Sequence, residues 1–152
     1  MAVERMDHVG VIVEDLQAAR AFFEELGLRA VGEATVDEAW AGRVTGLPGQ
    51  RVELVMLQTP DGHSQLEVSR FLTPVDEAGP EAAPSNRLGI RHLAFVVSDL
   101  RGTLERLARL GFEPVGTVED YRGIYLLCYV RGPEGIIVEL AEQTGDPTGM
   151  LG

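Results

Sequence analysis

Four side chains are the candidates for chemistry in this sequence: His8, Glu67, His92 and Glu139. The two histidines lie 84 positions apart in matching surroundings, Asp7-His8-Val9-Gly10-Val11-Ile12-Val13-Glu14-Asp15-Leu16 against Arg91-His92-Leu93-Ala94-Phe95-Val96-Val97-Ser98-Asp99-Leu100. Leu26-Gly27 recurs at the same offset as Leu110-Gly111, and Val31-Gly32 as Val115-Gly116. An offset held over about two dozen residues marks an internal duplication. Each copy also carries a carboxylate between apolar residues, Leu66-Glu67-Val68 and Val138-Glu139-Leu140. Two neutral imidazoles and two carboxylates around a divalent cation leave a nearly neutral site. Nitrogen and oxygen donors without thiolate suit Zn, Ni, Co, Mn or Fe(II). An octahedral ion with these four ligands keeps two positions for water or for the adjacent oxygens of a chelating substrate, polarised by the ion as a Lewis acid. The bland alternative is a satisfied histidine on each strand and a glutamate salt-bridged to an arginine. What favours a shared site is that both His–Glu pairs occupy corresponding places in the two copies.

The elements that must position these groups follow from periodicity. Val9, Val11 and Val13 alternate with His8, Gly10 and Ile12, a strand with one β-branched face and one face carrying the imidazole. Leu93, Phe95 and Val97 alternate in the same way with His92 and Ala94. In both copies a small residue follows the histidine by two, which leaves space above the sheet. Asp15 and Asp99 are placed as helix N-caps. Leu16, Ala19, Phe23 and Leu26 form one apolar stripe, and Leu100, Leu104, Leu107 and Leu110 another. Gly27 and Gly111 then stand where a helix ends in a left-handed residue. Each helix is expected on its own module's apolar sheet face, leaving the histidine faces uncovered.

Extended segments follow at Leu28 to Glu33 and Phe112 to Val118. The first copy then inserts Thr35 through Gln50, read as a loop, with Trp40 and Arg43. The second has a shorter connection, Glu119-Asp120-Tyr121-Arg122-Gly123. Trp40, Arg43, Tyr121, Arg122 and Tyr125 are therefore substrate-binding candidates, since loops on a rigid scaffold carry specificity; packing or surface roles are the alternative for each. Arg51 to Gln58 and Ile124 to Val130 read as strands, closed by the turns Thr59-Pro60-Asp61-Gly62 and Gly132-Pro133-Glu134-Gly135. The strands that follow hold Glu67 and Glu139 mid-strand, where each carboxylate needs a cation or a dense set of hydrogen bonds. His63, beside a turn, is expected in solvent. Proline and glycine from Thr73 to Asn86 mark a linker within one domain. The modules are expected at about 5–72 and 88–142 with the linker at about 73–87, and the tail from Gln143 is expected to fray.

Composition sets the outer bounds. A chain of 152 residues, 45% hydrophobic and 24% charged, is one globular domain by size. Its formal charge of −11 opposes binding to nucleic acid or anionic lipid. No apolar run approaches the roughly 18 residues that span a bilayer, and no apolar leader precedes the first strand. These features predict a cytoplasmic-type protein. The lone Cys128, in an apolar run, excludes an intrachain disulfide and a cysteine-built zinc site and reads as a buried side chain.

The same residues carry a family resemblance. Met6-Asp7-His8-Val9 through Glu14-Asp15-Leu16, Phe22-Phe23 before Leu26-Gly27, Leu66-Glu67-Val68, Ile90-Arg91-His92-Leu93-Ala94-Phe95, and Gly132-Pro133-Glu134-Gly135 into Val138-Glu139-Leu140 occur in this order. Over roughly residues 6–142 the chain resembles the vicinal oxygen chelate superfamily, which includes glyoxalase I, methylmalonyl-CoA epimerase, extradiol dioxygenases and bleomycin resistance proteins. The resemblance implies an α+β fold of two βαβββ modules forming a cupped mixed sheet around a metal, with a homodimer expected. It maps the metal ligands onto His8, Glu67, His92 and Glu139, with Gln65 as a substitute should the register differ by two.

Three activities are compatible with that resemblance. The first is a glyoxalase-like lyase or epimerase-like isomerase that abstracts a proton α to a carbonyl and holds the enediolate on the metal, with Glu67 or Glu139 as base. The second is an Fe(II)-dependent extradiol dioxygenase, a class that uses two His and one carboxylate and is disfavoured by a fourth candidate ligand. The third is a binding or resistance protein that sequesters an antibiotic or metabolite without turnover. The first accounts for the complete ligand set. The resemblance leaves open whether the substrate carries glutathione or CoA.

Overall fold

Alternation, capping and glycine placement shape the first half of the chain much as the spacing predicts. The computed structural model describes residues 2–149. Strand β1 (Val9–Ile12) leads to helix α1 (Leu16–Glu25), whose first turn is closed by Asp15 accepting from the Ala18 amide at 2.9 Å. Gly27, at φ +103°, takes the chain out of α1. Strands β2 (Arg29–Val36), β3 (Arg51–Gln58) and β4 (Gln65–Thr73) complete a sheet in the order β1-β4-β3-β2. β1 and β4 run parallel; the other neighbours are antiparallel. Ala19, Phe22 and Phe23 of α1 are buried together with Val55, Leu57, Leu66 and Val68 of the sheet. The predicted stripe omitted Phe22, which stands edge-on to Phe23 with ring centroids 5.1 Å apart and is fully buried.

The second half repeats this plan. Strand β5 (His92–Val96) leads to helix α3 (Leu100–Arg109), capped by Asp99 accepting from the Gly102 amide at 3.0 Å. Gly111, at φ +90°, follows α3. Strands β6 (Glu119–Tyr121), β7 (Tyr125–Arg131) and β8 (Ile137–Gln143) pair in the order β5-β8-β7-β6, with β5 and β8 parallel. Leu100 and Leu107 are buried with Cys128, Val130, Val138 and Leu140, whereas Leu110, placed on the predicted stripe, is 45% exposed at the helix end. The architecture is α+β, two four-stranded mixed sheets each with its own helix, as expected. Backbone contacts group the chain into two compact units, Met1–Gly79 and Pro80–Gly152.

Two expectations of local structure are corrected. The insertion read as a loop contains a helix, α2 (Ala39–Thr45), ended by left-handed Gly46. Its glycine content misled because Gly42 serves packing. A Cβ there would meet the Leu47 carbonyl oxygen at 2.8 Å, so only glycine lets α2 press against the Leu47-Pro48 segment. In the second copy, Phe112 to Val118 forms only a bridge between Pro114 and Val130, and the strand forms later, within the expected connection. At that bridge the Val115 amide donates to the Tyr129 carbonyl and the Arg131 amide to that of Glu113, so the Pro114 nitrogen faces away from β7. Among the described residues no helix is long and apolar enough to cross a membrane. Of the tail expected to fray, Met150–Gly152 lie outside the described residues.

Candidate metal centre

Both His–Glu pairs form, each within its own unit and by the same register. In the first, Gly10 of β1 lies directly opposite Glu67 of β4. His8 stands two residues earlier, just ahead of β1. Nothing would meet a Cβ at Gly10 within 4 Å, so the space above it is open and the Glu67 carboxylate reaches diagonally toward the imidazole. His8 Nε2 and Glu67 Oε2 are 3.6 Å apart, too far for a hydrogen bond. The Ser69 hydroxyl donates to Glu67 Oε1 at 3.4 Å. On the outer side of the ring, His8 Nδ1 lies 2.9 Å from Asp7 Oδ2, and Arg5 donates to Asp7 Oδ1 at 2.8 Å. The Arg5 guanidinium and then His8 hold the Asp7 carboxyl below the usual carboxylate range.

In the second unit Ala94 of β5 is opposite Glu139 of β8, and His92 again stands two residues earlier. His92 Nε2 and Glu139 Oε2 are 3.2 Å apart. Directly across from Glu139 on β7 is Tyr129, whose ring lies 5.3 Å from the His92 ring, tilted by 38°. Burial, and then the Glu139 charge, push the Tyr129 phenol up from its ordinary value. The side chains remain within reach of solvent: His8 is 36% and His92 40% exposed, Glu67 32% and Glu139 21%.

The substrate-binding candidates separate into two groups. Trp40 and Arg43 lie on α2, both exposed, with Ala41 and Gly42 buried between them. Tyr125 is four residues from Tyr129 on β7, and Tyr121 pairs with Tyr125 across β6 and β7. Alternation therefore puts Tyr121, Tyr125 and Tyr129 on the Glu139 face of their sheet. The Arg122 guanidinium sits 5.2 Å from the centre of the Tyr121 ring, at a turn where Arg122 itself has φ +56°. Gln65 shares the Glu67 face, paired with Gln58, but the carboxylate near His8 is Glu67. His63 is exposed and Cys128 is 2% exposed, both as expected; burial pushes the Cys128 thiol up. Tyr129, Asp7 and Ser69 were not singled out from sequence. Counting four residues on from Tyr125 would have found Tyr129. Asp7 beside His8 carries no periodic signal.

The donor chemistry fits a divalent ion. Two donors about 2.1 Å from one ion, on positions about 90–110° apart, stand about 3.0–3.4 Å from each other. The two Nε2–Oε2 separations, 3.6 and 3.2 Å, lie close to that range. The structure shows two such pairs; among the described residues no three His, Cys, Asp or Glu side chains form a single metal-holding group.

Comparison with known proteins agrees with this architecture. A family model described as the Glyoxalase/Bleomycin resistance protein/Dioxygenase superfamily matches residues 7–129. A crystal structure of a glyoxalase family protein from Bacillus cereus superposes with a TM-score of 0.92 at 50% identity, covering 95% of this chain and 97% of that one. An ethylmalonyl-CoA/methylmalonyl-CoA epimerase of Cereibacter sphaeroides is 27% identical over 149 residues, 92% of this chain and 98% of the relative. A fosfomycin resistance protein of Listeria monocytogenes, solved with Mn(II) and 1S,2S-dihydroxypropylphosphonic acid, shares the fold at a TM-score of 0.60 and 14% identity, covering 95% of this chain and 93% of that one. The chain belongs to the glyoxalase/bleomycin resistance protein/dioxygenase superfamily, the vicinal oxygen chelate superfamily.

Proposed function

We propose that His8, Glu67, His92 and Glu139 are the protein ligands of one divalent ion (Zn, Ni, Co, Mn or Fe(II)). The chain then acts as a lyase or isomerase that moves a proton α to a carbonyl through an enediolate, and works as a homodimer. The observation that carries this reading is the repeated His–Glu pair, held in both modules by the same register of a small residue opposite the carboxylate. The bound ion would supply Lewis-acid polarisation of the carbonyl, which makes the α-proton acidic.

The chain's own groups do the rest. Glu67 or Glu139, released from its place as a ligand, would take the α-proton and return it as general base and then acid. Met56 lies across the strand from Glu67, and Tyr129 across from Glu139, so one side of each carboxylate faces a bulky side chain rather than water. Trp40, Arg43, Tyr121, Arg122 and Tyr125 are assigned to binding the part of the substrate that does not react. Similarity to an epimerase of acyl-CoA thioesters suggests a thioester with an acidic α-carbon as the first substrate class to try.

The test is solvent exchange. Incubating the metal-loaded protein with methylmalonyl-CoA in D2O should place deuterium at the α-carbon, read by mass spectrometry. Glu67→Gln and Glu139→Gln, compared under the same conditions, should lower the rate in at least one case. Tight thioester binding with no exchange, in a protein that also keeps its affinity when all four ligands are replaced, would make the chain a binding protein instead.

A further inference from the structure

We propose that Asp7 is a positioning residue that sets the tautomer of His8, an inference that rests on the metal-ligand reading of that histidine. The Asp7 carboxylate is anchored through Oδ1 by Arg5 at 2.8 Å and meets His8 Nδ1 through Oδ2 at 2.9 Å. An ionised carboxylate only accepts hydrogen bonds, so the proton of this contact belongs to Nδ1. In a neutral imidazole the lone pair is then on Nε2, the nitrogen that faces Glu67. A histidine held this way presents the right atom to an ion before the ion arrives, and the carboxylate makes the ring a stronger donor.

The second module cannot do the same. The residue corresponding to Asp7 is Arg91, whose guanidinium has donors and no acceptor. Among the described residues His92 has no counterpart of the Asp7 contact; its ring lies against Tyr129 instead. The duplication has thus kept the histidine and changed what holds it. Asp7 is exposed, with 60% of its side chain accessible, so removing it should leave the fold alone.

The experiment reads the ring directly. Long-range ¹H–¹⁵N correlation spectra of the metal-free protein, at a pH where imidazoles are neutral, distinguish the two tautomers. The wild type should show His8 protonated at Nδ1, while exposed His63 shows the Nε2-protonated form usual for free imidazole. Asp7→Ala should move His8 to the His63 pattern and weaken Zn or Ni binding about 10- to 100-fold. Asp7→Asn, which keeps an acceptor oxygen without the charge, should fall between, and Arg91→Ala should leave both readouts unchanged. An unchanged His8 tautomer in Asp7→Ala would overturn the proposal. A His8 tautomer that shifts in Asp7→Ala, together with a wild-type protein that takes up no metal, would uphold the orienting contact and remove the metal reading on which its purpose rests.

Discussion

The first module holds its histidine with a carboxylate, the second with the ring of a tyrosine, and the backbone beneath the two is nearly the same. In each, a four-stranded sheet in corresponding order places a small residue opposite the glutamate and the histidine two residues before it. Beyond that frame the modules differ. Glu67 has Met56 across from it and Ser69 donating to it, and Glu139 has Tyr129 across from it. Gly32 pairs with Met56 on the outer strand of the first sheet, whereas β6 of the second is three residues long and brings tyrosine to its turn. What both copies retain is the His–Glu pair proposed above as ligands. What differs is the setting of each histidine: a carboxylate on its Nδ1 side in the first module, and an aromatic ring beside it and the carboxylate in the second.

The comparison is sharpened most by exchanging the two glutamates for glutamine, one at a time. If one carboxylate is the base, its variant should lose about 10²- to 10⁴-fold in turnover while still binding substrate. The other variant should lose less turnover per bound ion, although both, as proposed ligands, should hold the metal less tightly. Equal losses in both variants would mean that the modules do not divide the work.

Core truncations ask whether the two units unfold together. Phe23→Ala, beneath the first sheet, should cost about 3–5 kcal/mol, and Leu107→Ala, beneath the second, about 2–5 kcal/mol. Urea unfolding followed by both far-UV circular dichroism and tryptophan fluorescence is the check, because Trp40 reports the first unit alone. Coincident transitions in both variants show one cooperative unit; a fluorescence transition that moves only with Phe23→Ala shows two.

A smaller effect should come from Tyr129→Phe, which keeps the ring against His92 and removes only the hydroxyl. If the hydroxyl, which stands beside the Glu139 carboxylate, hydrogen-bonds the substrate, its loss should lower kcat/KM by up to about tenfold, with metal content unchanged. Loss of metal in this variant would instead make Tyr129 a support for the ligand itself. The smallest effects should be matched ones. Asp15→Ala and Asp99→Ala each remove the same cap, and each should lower stability by about 1 kcal/mol in chemical denaturation.

Much of this was legible because the periodic signals were strong and came twice. The capped helices, the glycines that end them and the strand carrying each glutamate follow from alternation, Asp at the cap and turn chemistry. The insertion was misread because Ala39 to Gly46 has the glycine content of a loop, and only the close approach of Gly42 to the Leu47 carbonyl explains a glycine within the helix. The late start of β6 was not readable from alternation, since Phe112 to Val118 has the pattern of an extended segment yet forms only the bridge at Pro114. Within the site, the pairing of His8 with Glu67 and His92 with Glu139 followed from the duplication, but the contacts around each ring did not. Asp7 and Tyr129 reach the histidines through a neighbouring residue and an adjacent strand, and neither relation has a period.

The central claim is that two His–Glu pairs serve one ion, and elemental mass spectrometry of untagged protein tests it most directly. The wild type should carry about one divalent ion per chain, and the His8→Ala/His92→Ala double variant none. Each single variant, which breaks one pair and spares the other, should also lose most of its metal, because neither pair alone supplies enough ligands. Single variants that keep full occupancy, or a wild type that holds no metal and gains no thermal stability from added Ni, Zn, Co, Mn or Fe(II), would contradict it.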